Sequence, residues 1–173
     1  MNGLLPTSPD TRFMETIEKT IEVDQPVKTV YDLWTHFENF PRFMSGIKEV
    51  RQLDTKHLHW KAEIGGKTKE WDAEISEQVA NQRIAWRSTS GAENSGTLHF
   101  IALSPTKTRI ILYLSYGPQG LVEWVGNNLG VVSARVSGDL NGFKKFTESQ
   151  GAPLEGGLLP NVAISKLPRI APT

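Results

Sequence analysis

Apolar and polar positions alternate along most of this chain, and the period of that alternation names the elements. Between Glu15 and Asp24, Ile17, Ile21 and Val23 fall at odd positions among charged or polar neighbours, the period of a half-buried strand, with Lys19 as the exception on that row. Val27, Val30, Tyr31, Trp34 and Phe37 then follow helical spacing, and Pro26 is acceptable in a first helical turn. They predict a short amphipathic helix ending before Pro41. From Gly46 to Ser115 the helical period is gone and strands follow one another with turn residues between them.

Ile47, Val50 and Leu53 mark the first strand of that meander, which stops near Asp54-Thr55-Lys56. Leu58, Trp60, Ala62 and Ile64 alternate through the next, and Gly65-Gly66 turns the chain as a two-residue hairpin loop requires. Trp71, Ala73, Ile75 and Val79 carry the odd-numbered row onward, and Ile84, Trp86 and Ser88 continue it beyond the Ala80-Asn81-Gln82 turn. Gly96, Leu98 and Phe100 come next, then the Ser104-Pro105-Thr106 turn, then Ile110, Leu112, Leu114 and Tyr116. With the strand at Glu15, the sequence predicts seven strands.

After Gly117-Pro118, Leu121, Val125, Leu129, Val132, Val136, Leu140 and Phe143 recur at every third or fourth position through Phe146 and predict a long helix. Gly126 and Gly130 within it argue for a bend or close packing. A run of strands followed by one long helix describes an α+β fold, in which a curved seven-stranded antiparallel sheet wraps around the C-terminal helix. The expected organisation is a flexible N-terminal segment (1–14), one folded domain (15–150) and a tail (151–173), whose four prolines and three glycines show no sustained period.

Composition narrows the chemistry. At 173 residues one domain can bury a sizeable core, and with no cysteine there is no disulfide, thiolate ligand or cysteine nucleophile. Nineteen Lys and Arg balance nineteen Asp and Glu, so no net field gathers nucleic acid or an anionic membrane, and no nucleic-acid partner is expected. Leu4 and Leu5 before Pro6 make too brief an apolar stretch for a signal peptide, and no apolar run is long enough for a membrane span. A soluble, cytoplasmic protein is expected.

The inward rows carry Trp60, Trp71, Trp86, Leu98, Phe100, Leu112 and Leu114, and almost nothing that ionises. General acid and base catalysis needs a titratable group near the reacting atom, and the sheet offers few. Large aromatics on a concave sheet can instead line a cavity that one helix does not fill, which is what a site for a small hydrophobic molecule looks like. The predicted lining is Trp60, Trp71, Ile75, Trp86, Leu98, Phe100, Leu112 and Leu114 from the sheet and Leu129, Val132 and Val136 from the helix. Ser88 and Tyr116 are the clearest polar members and would orient a ligand by hydrogen bonds. Lys19 and Glu77 also take inward parity, each near a strand end where a long side chain reaches water.

Other chemistry finds little support in the residues. His57 and His59, two apart on one strand, alternate with inward Leu58 and Trp60 and so face water; no metal is predicted. His99 takes the same outward reading, and His36 near a helix end reads as a surface or capping group. Arg83, Arg87 and Arg109 belong to the solvated sheet face. No Gly-x-Ser-x-Gly elbow appears, and the glycine pairs do not lead from a strand into a helix as a phosphate cradle needs, so no cofactor is predicted.

Pro26-Val27-x-x-Val30-Tyr31-x-x-Trp34, followed by Phe37-Glu38-x-Phe40-Pro41-x-Phe43-Met44, resembles the first segment of bacterial polyketide cyclase/dehydrase-like proteins of the START-related, Bet v 1-like (SRPBCC) superfamily. Trp71-x-Ala73-x-Ile75, Arg83-Ile84-x-Trp86-Arg87-Ser88, Gly96-x-Leu98-x-Phe100, Tyr116-x-Pro118-x-Gly120 and Asp139-Leu140-x-x-Phe143-Lys144 match that group in order. The resemblance covers about residues 15 to 150. It implies a helix-grip fold with a hydrophobic cavity between sheet and C-terminal helix, in a superfamily of aromatic polyketide cyclases, lipid and sterol carriers, hormone receptors and quinone-binding proteins. Cyclases of this kind are thought to use a cavity arginine; no inner strand row here has one, and Arg135 on the last helix is the nearest substitute.

Three functions follow as expectations. The first is binding of a lipid, quinone or polyketide-like aromatic in the cavity. The second is cyclase or dehydratase chemistry, with Ser88, Tyr116 and Arg135 orienting the substrate and stabilising an enolate. The third is an interaction module in which Leu158, Leu159, Val162, Ile164 and Leu167 of the tail dock on a partner or cover the pocket mouth.

Overall fold

The computed structural model describes residues 14–64, 66–117 and 129–151. Both expected terminal appendages, apart from Met14 and Gly151, lie outside those residues, as do Gly65, the predicted helix start at Leu121 and Val125, and the interaction role considered for the tail. The strands are β1 (Glu15–Val23), β2 (Ile47–Gln52), β3 (His57–Ile64), β4 (Lys67–Val79), β5 (Arg83–Ser90), β6 (Asn94–Ser104) and β7 (Lys107–Tyr116). They form one antiparallel sheet in the order β1-β7-β6-β5-β4-β3-β2, so every neighbour but the β1–β7 pair is a hairpin partner. Helix α1 (Val27–Thr35) and a 3-10 segment (Phe37–Arg42) join β1 to β2, and α2 (Leu129–Gly151) packs across the inner face. This is the α+β helix-grip architecture that the periodicity predicts.

The inner rows of β3 and β7 fall where alternation places them, with Leu58, Ala62, Ile110, Leu112, Leu114 and Tyr116 all buried. Register shifts on β2 and β4 alter the pattern. On β2 the register slips between Ile47 and Glu49, so Ile47 and Val50, three apart in sequence, sit opposite Ala62 and Trp60 and both pack inward. Leu53, expected to extend that strand, lies beyond its end and is 55% exposed. On β4 the register slips between Ile75 and Glu77. Ile75 faces Trp86, but Glu77 pairs with outward Ala85 and makes an ion pair with Arg83. The inward reading of Glu77 is therefore corrected: the extra residue of the bulge turns it to the outer face.

That outer face also holds Arg87 on Glu74 at 2.8 Å, Arg109 on Glu22 at 2.7 Å and His59 on Asp72 at 2.7 Å. These three basic side chains take the outward parity read from the sequence.

Helix α1 stops at Thr35, earlier than its apolar spacing suggests. The Thr35 hydroxyl donates to the carbonyls of Tyr31 (3.1 Å) and Asp32 (3.0 Å), and the His36 ring bonds the Asp32 carbonyl at 2.6 Å. Side chains thus take acceptors near the helix end and the chain tightens into the 3-10 turn, which holds Phe37 and Pro41. Helix α2 is held through its C-terminal half. The buried Phe143 ring meets Trp34 edge-on at 4.7 Å and Phe43 at 5.3 Å, Lys144 donates to the Glu22 carbonyl at 2.6 Å, and Glu148 accepts the Asp24 N–H at 2.8 Å.

Candidate functional site

Between the sheet and the first half of α2 lies a cavity of about 160 Å³. Its position follows from how the two helices divide the sheet. Helix α1 packs over β6 and β7, where Tyr31 meets Phe100 edge-on at 5.4 Å and fills that side with side chains. The cavity opens beside this packing, and Trp34 near the end of α1 lines it. Its sheet wall comes from β2, β3, β4, β5, β6 and β7, closed by Trp34 of α1, by Phe37, Phe40 and Met44 below α1 and by Val132, Val136 and Leu140 from α2.

Of the residues expected to line it, Trp60, Trp71, Ile75, Trp86, Leu112, Leu114, Val132 and Val136 do so. Leu98 and Phe100 do not: both are buried in the core cluster that α1 covers. Leu129 lies within α2, with its side chain outside what the structure describes. The indoles of Trp60 and Trp71 face each other across β3 and β4 and stack with centroids 5.5 Å apart and planes 9° from parallel. They give the wall an aromatic stack. Trp86 lies across Gly96, its cross-strand partner, where a Cβ would come within 2.4 Å of the indole.

Ser88 and Tyr116, expected as polar ligand contacts, are engaged elsewhere. The Ser88 hydroxyl accepts the Asn94 N–H at 3.0 Å and fastens the β5–β6 connection. Tyr116 is fully buried at the far end of β7 and donates to Glu15 at 3.3 Å; burial, then Glu15, pushes its phenol up. The polar residue that does reach the cavity from the sheet is Asn94, whose amide is locked between the Trp86 indole N–H (3.2 Å) and the Ala92 carbonyl (2.8 Å). The Trp60 indole N–H is buried with no partner, an arrangement that costs about 1–3 kcal/mol.

Arg135 lines the cavity, as the helix periodicity allows, and Asp139 one turn later lines it too. The sequence reading missed Asp139 as a site residue, although its spacing from Val132, Val136 and Leu140 places it beside the same apolar stripe. Both side chains grip one turn: Arg135 donates to the Ser45 carbonyl and Asp139 accepts the Ser45 N–H at 3.2 Å. Gly46 makes room for this clasp. Its φ of 86° disfavours a side chain, and a Cβ there would collide with the Arg135 guanidinium. Burial pushes the Asp139 carboxyl up to about 6, against the opposing pull of Arg135 and the Ser45 N–H. The chamber is therefore apolar along its walls and ionisable where α2 meets the Ser45 turn, which amends the expectation of an uncharged interior. Chemically, the pair can orient a polar group and hold or release a proton near neutrality.

Among the described residues, no group of three His, Asp or Glu side chains is placed to hold a metal ion, and no helix is long and apolar enough to cross a membrane.

The model of a family described as polyketide cyclase / dehydrase and lipid transport matches residues 23–145. An uncharacterised 17.2 kDa protein in the melC2-rnhH intergenic region of Streptomyces lincolnensis is 41% identical over 144 residues, spanning 83% of this chain and 96% of that protein. Among solved structures, the Zhui aromatase/cyclase of Streptomyces sp. R1128 is similar at a TM-score of 0.70 and 16% identity, covering 84% of this chain and 100% of that one. A START superfamily protein from Mycobacterium smegmatis follows the same course at a TM-score of 0.62 and 18% identity, covering 78% and 95%. At these identities the two structures speak to the fold.

Proposed function

The chain belongs to the polyketide cyclase/dehydrase and lipid transport family, and from that premise we propose that it binds a small hydrophobic molecule in the cavity between its sheet and α2. The observation that carries this reading is the composition of the wall: four tryptophans, Trp34 from α1 and Trp60, Trp71 and Trp86 from the sheet, surround with aliphatic neighbours a space that no side chain fills. An unfilled apolar cavity costs stability, and occupancy by an apolar ligand recovers the lost contacts. Native mass spectrometry of the purified protein, backed by displacement of a small fluorescent hydrophobic dye, should reveal a bound or competing hydrophobic molecule. A protein that carries none and displaces none refutes the reading.

A second reading, aromatic polyketide cyclase or dehydratase, is favoured by the pair Arg135 and Asp139 at the cavity. The Zhui neighbour is named as an aromatase/cyclase. Ser88 and Tyr116 lie away from the cavity, so this chemistry would rest on the α2 pair, with the Arg135 guanidinium stabilising an enolate and Asp139 exchanging a proton. Incubation with a poly-β-ketone substrate tests it: Arg135→Ala should redistribute the cyclised products. An unchanged product pattern eliminates cyclisation by this site.

A further inference from the structure

We propose that the molecule taken by this cavity is a hydroxylated aromatic of one or two rings, held against the Trp60–Trp71 stack with its hydroxyl between Asp139 and Arg135. The inference rests on the ligand-binding reading above and narrows it by size, shape and polarity.

Size comes first. At about 160 Å³ the space matches the apolar cavity of ~150 Å³ that takes a single benzene, and is well short of the ~300–1,000 Å³ typical of sites for drug-sized ligands. A sterol, a diacyl lipid or a multi-ring polyketide is too large for it. Met44, unbranched and adaptable, supplies the slack for a second ring.

Shape favours a planar guest. The stacked Trp60 and Trp71 indoles line the wall, and an aromatic ring gains ring–ring contacts with them that a flexible aliphatic chain does not.

Polarity selects the substituent. Arg135 and Asp139 are the ionisable groups among the described lining residues, and they sit one helical turn apart on α2. Among the described lining residues, the sheet, α1 and the 3-10 segment bring no charged group to them; the Ser45 turn brings a backbone N–H and carbonyl. A guanidinium only donates and a carboxylate only accepts. A hydroxyl does both, so it can accept from Arg135 and donate to Asp139 at once. A carboxylate on the guest would face Asp139, an ammonium would face Arg135, and a bare hydrocarbon would desolvate both without return.

Calorimetric titration of the intact chain at pH 8 with 2-naphthol, naphthalene, 2-naphthoate and palmitate tests each part. 2-Naphthol should bind about tenfold or more tightly than naphthalene, as a hydrogen bond to a charged group implies, and palmitate should not bind. Asp139→Ala should bring 2-naphthol down to the affinity of naphthalene, and Asp139→Asn, which keeps the Ser45 contact, should reduce the preference severalfold. At about pH 5, where the Asp139 carboxyl is neutral, 2-naphthoate should gain on 2-naphthol. Equal binding of 2-naphthol and naphthalene overturns the hydroxyl assignment and leaves the ligand-binding reading intact. Palmitate binding tighter than either overturns the size and shape argument in the same way. Failure of all four probes overturns both.

Discussion

Asp139→Asn should make the protein more stable at pH 8 and leave it nearly unchanged at pH 4. Burial raises the Asp139 carboxyl from its usual 3.8 to about 6 in the folded protein, so the native state keeps a proton that the unfolded chain has already lost. A proton bound more tightly by the folded state stabilises it. That contribution is full below pH 3.8 and fades as pH rises through 6, leaving a buried carboxylate that opposes folding. A shift of about two pK units corresponds to ~3 kcal/mol. Because Asp139 is only half-buried, screening by water reduces this to about 1–2 kcal/mol. Asparagine mimics the neutral acid and keeps an oxygen for the Ser45 N–H, so it removes the cost of ionisation without breaking the clasp. For a domain of this size 1 kcal/mol moves Tm by about 2–4 °C, so the variant should melt about 2–8 °C higher at pH 8. Thermal and urea unfolding of both proteins from pH 4 to pH 8 measures it. A difference that does not change with pH, or a variant less stable at pH 8, refutes the argument.

Two glycines of α2 should respond in opposite senses to alanine. At Gly142 a Cβ would lie 2.3 Å from the Phe43 carbonyl oxygen, so Gly142→Ala should cost about 1–3 kcal/mol in urea unfolding. At Gly138 nothing lies within 4 Å of the new methyl, and Gly138→Ala should gain about 0.5–1 kcal/mol from helix propensity. Gly96→Ala should push the Trp86 indole off its cross-strand seat, seen as altered tryptophan fluorescence and weakened probe binding. Phe143→Ala removes a fully buried ring shared by Trp34 and Phe43 and should cost about 3–5 kcal/mol, read from the shift in the urea midpoint.

Strand number, meander topology and the apolar character of the inner face were all legible in the sequence, because a half-buried sheet writes its two faces into alternate positions. The bulges were not. Nothing in the composition near Glu49 or Ser76 marks where the backbone gains a residue, and one such slip is enough to turn Glu77 outward. The division of the inner face between packed core and open cavity was also hidden, since Leu98 and Leu112 carry the same pattern and only the placement of α1 separates them. Asp139 escaped notice for a different reason: a carboxylate on a helix ordinarily reads as solvent-facing, and here the Ser45 turn supplies the N–H that lets it face inward.

The fastening of α2 through its C-terminal half has a mechanical consequence. Phe143, Lys144 and Glu148 bolt the C-terminal half of the helix to Trp34, Phe43 and the end of β1, whereas Val132 and Val136 rest over empty space. Along the arm from Val132 to Asp139, the described contacts of α2 are shared between the cavity and the Ser45 turn. The Arg135–Asp139 grip on Ser45 is then a strut partway along that arm, and any guest that competes for those two side chains slackens the strut in the act of binding.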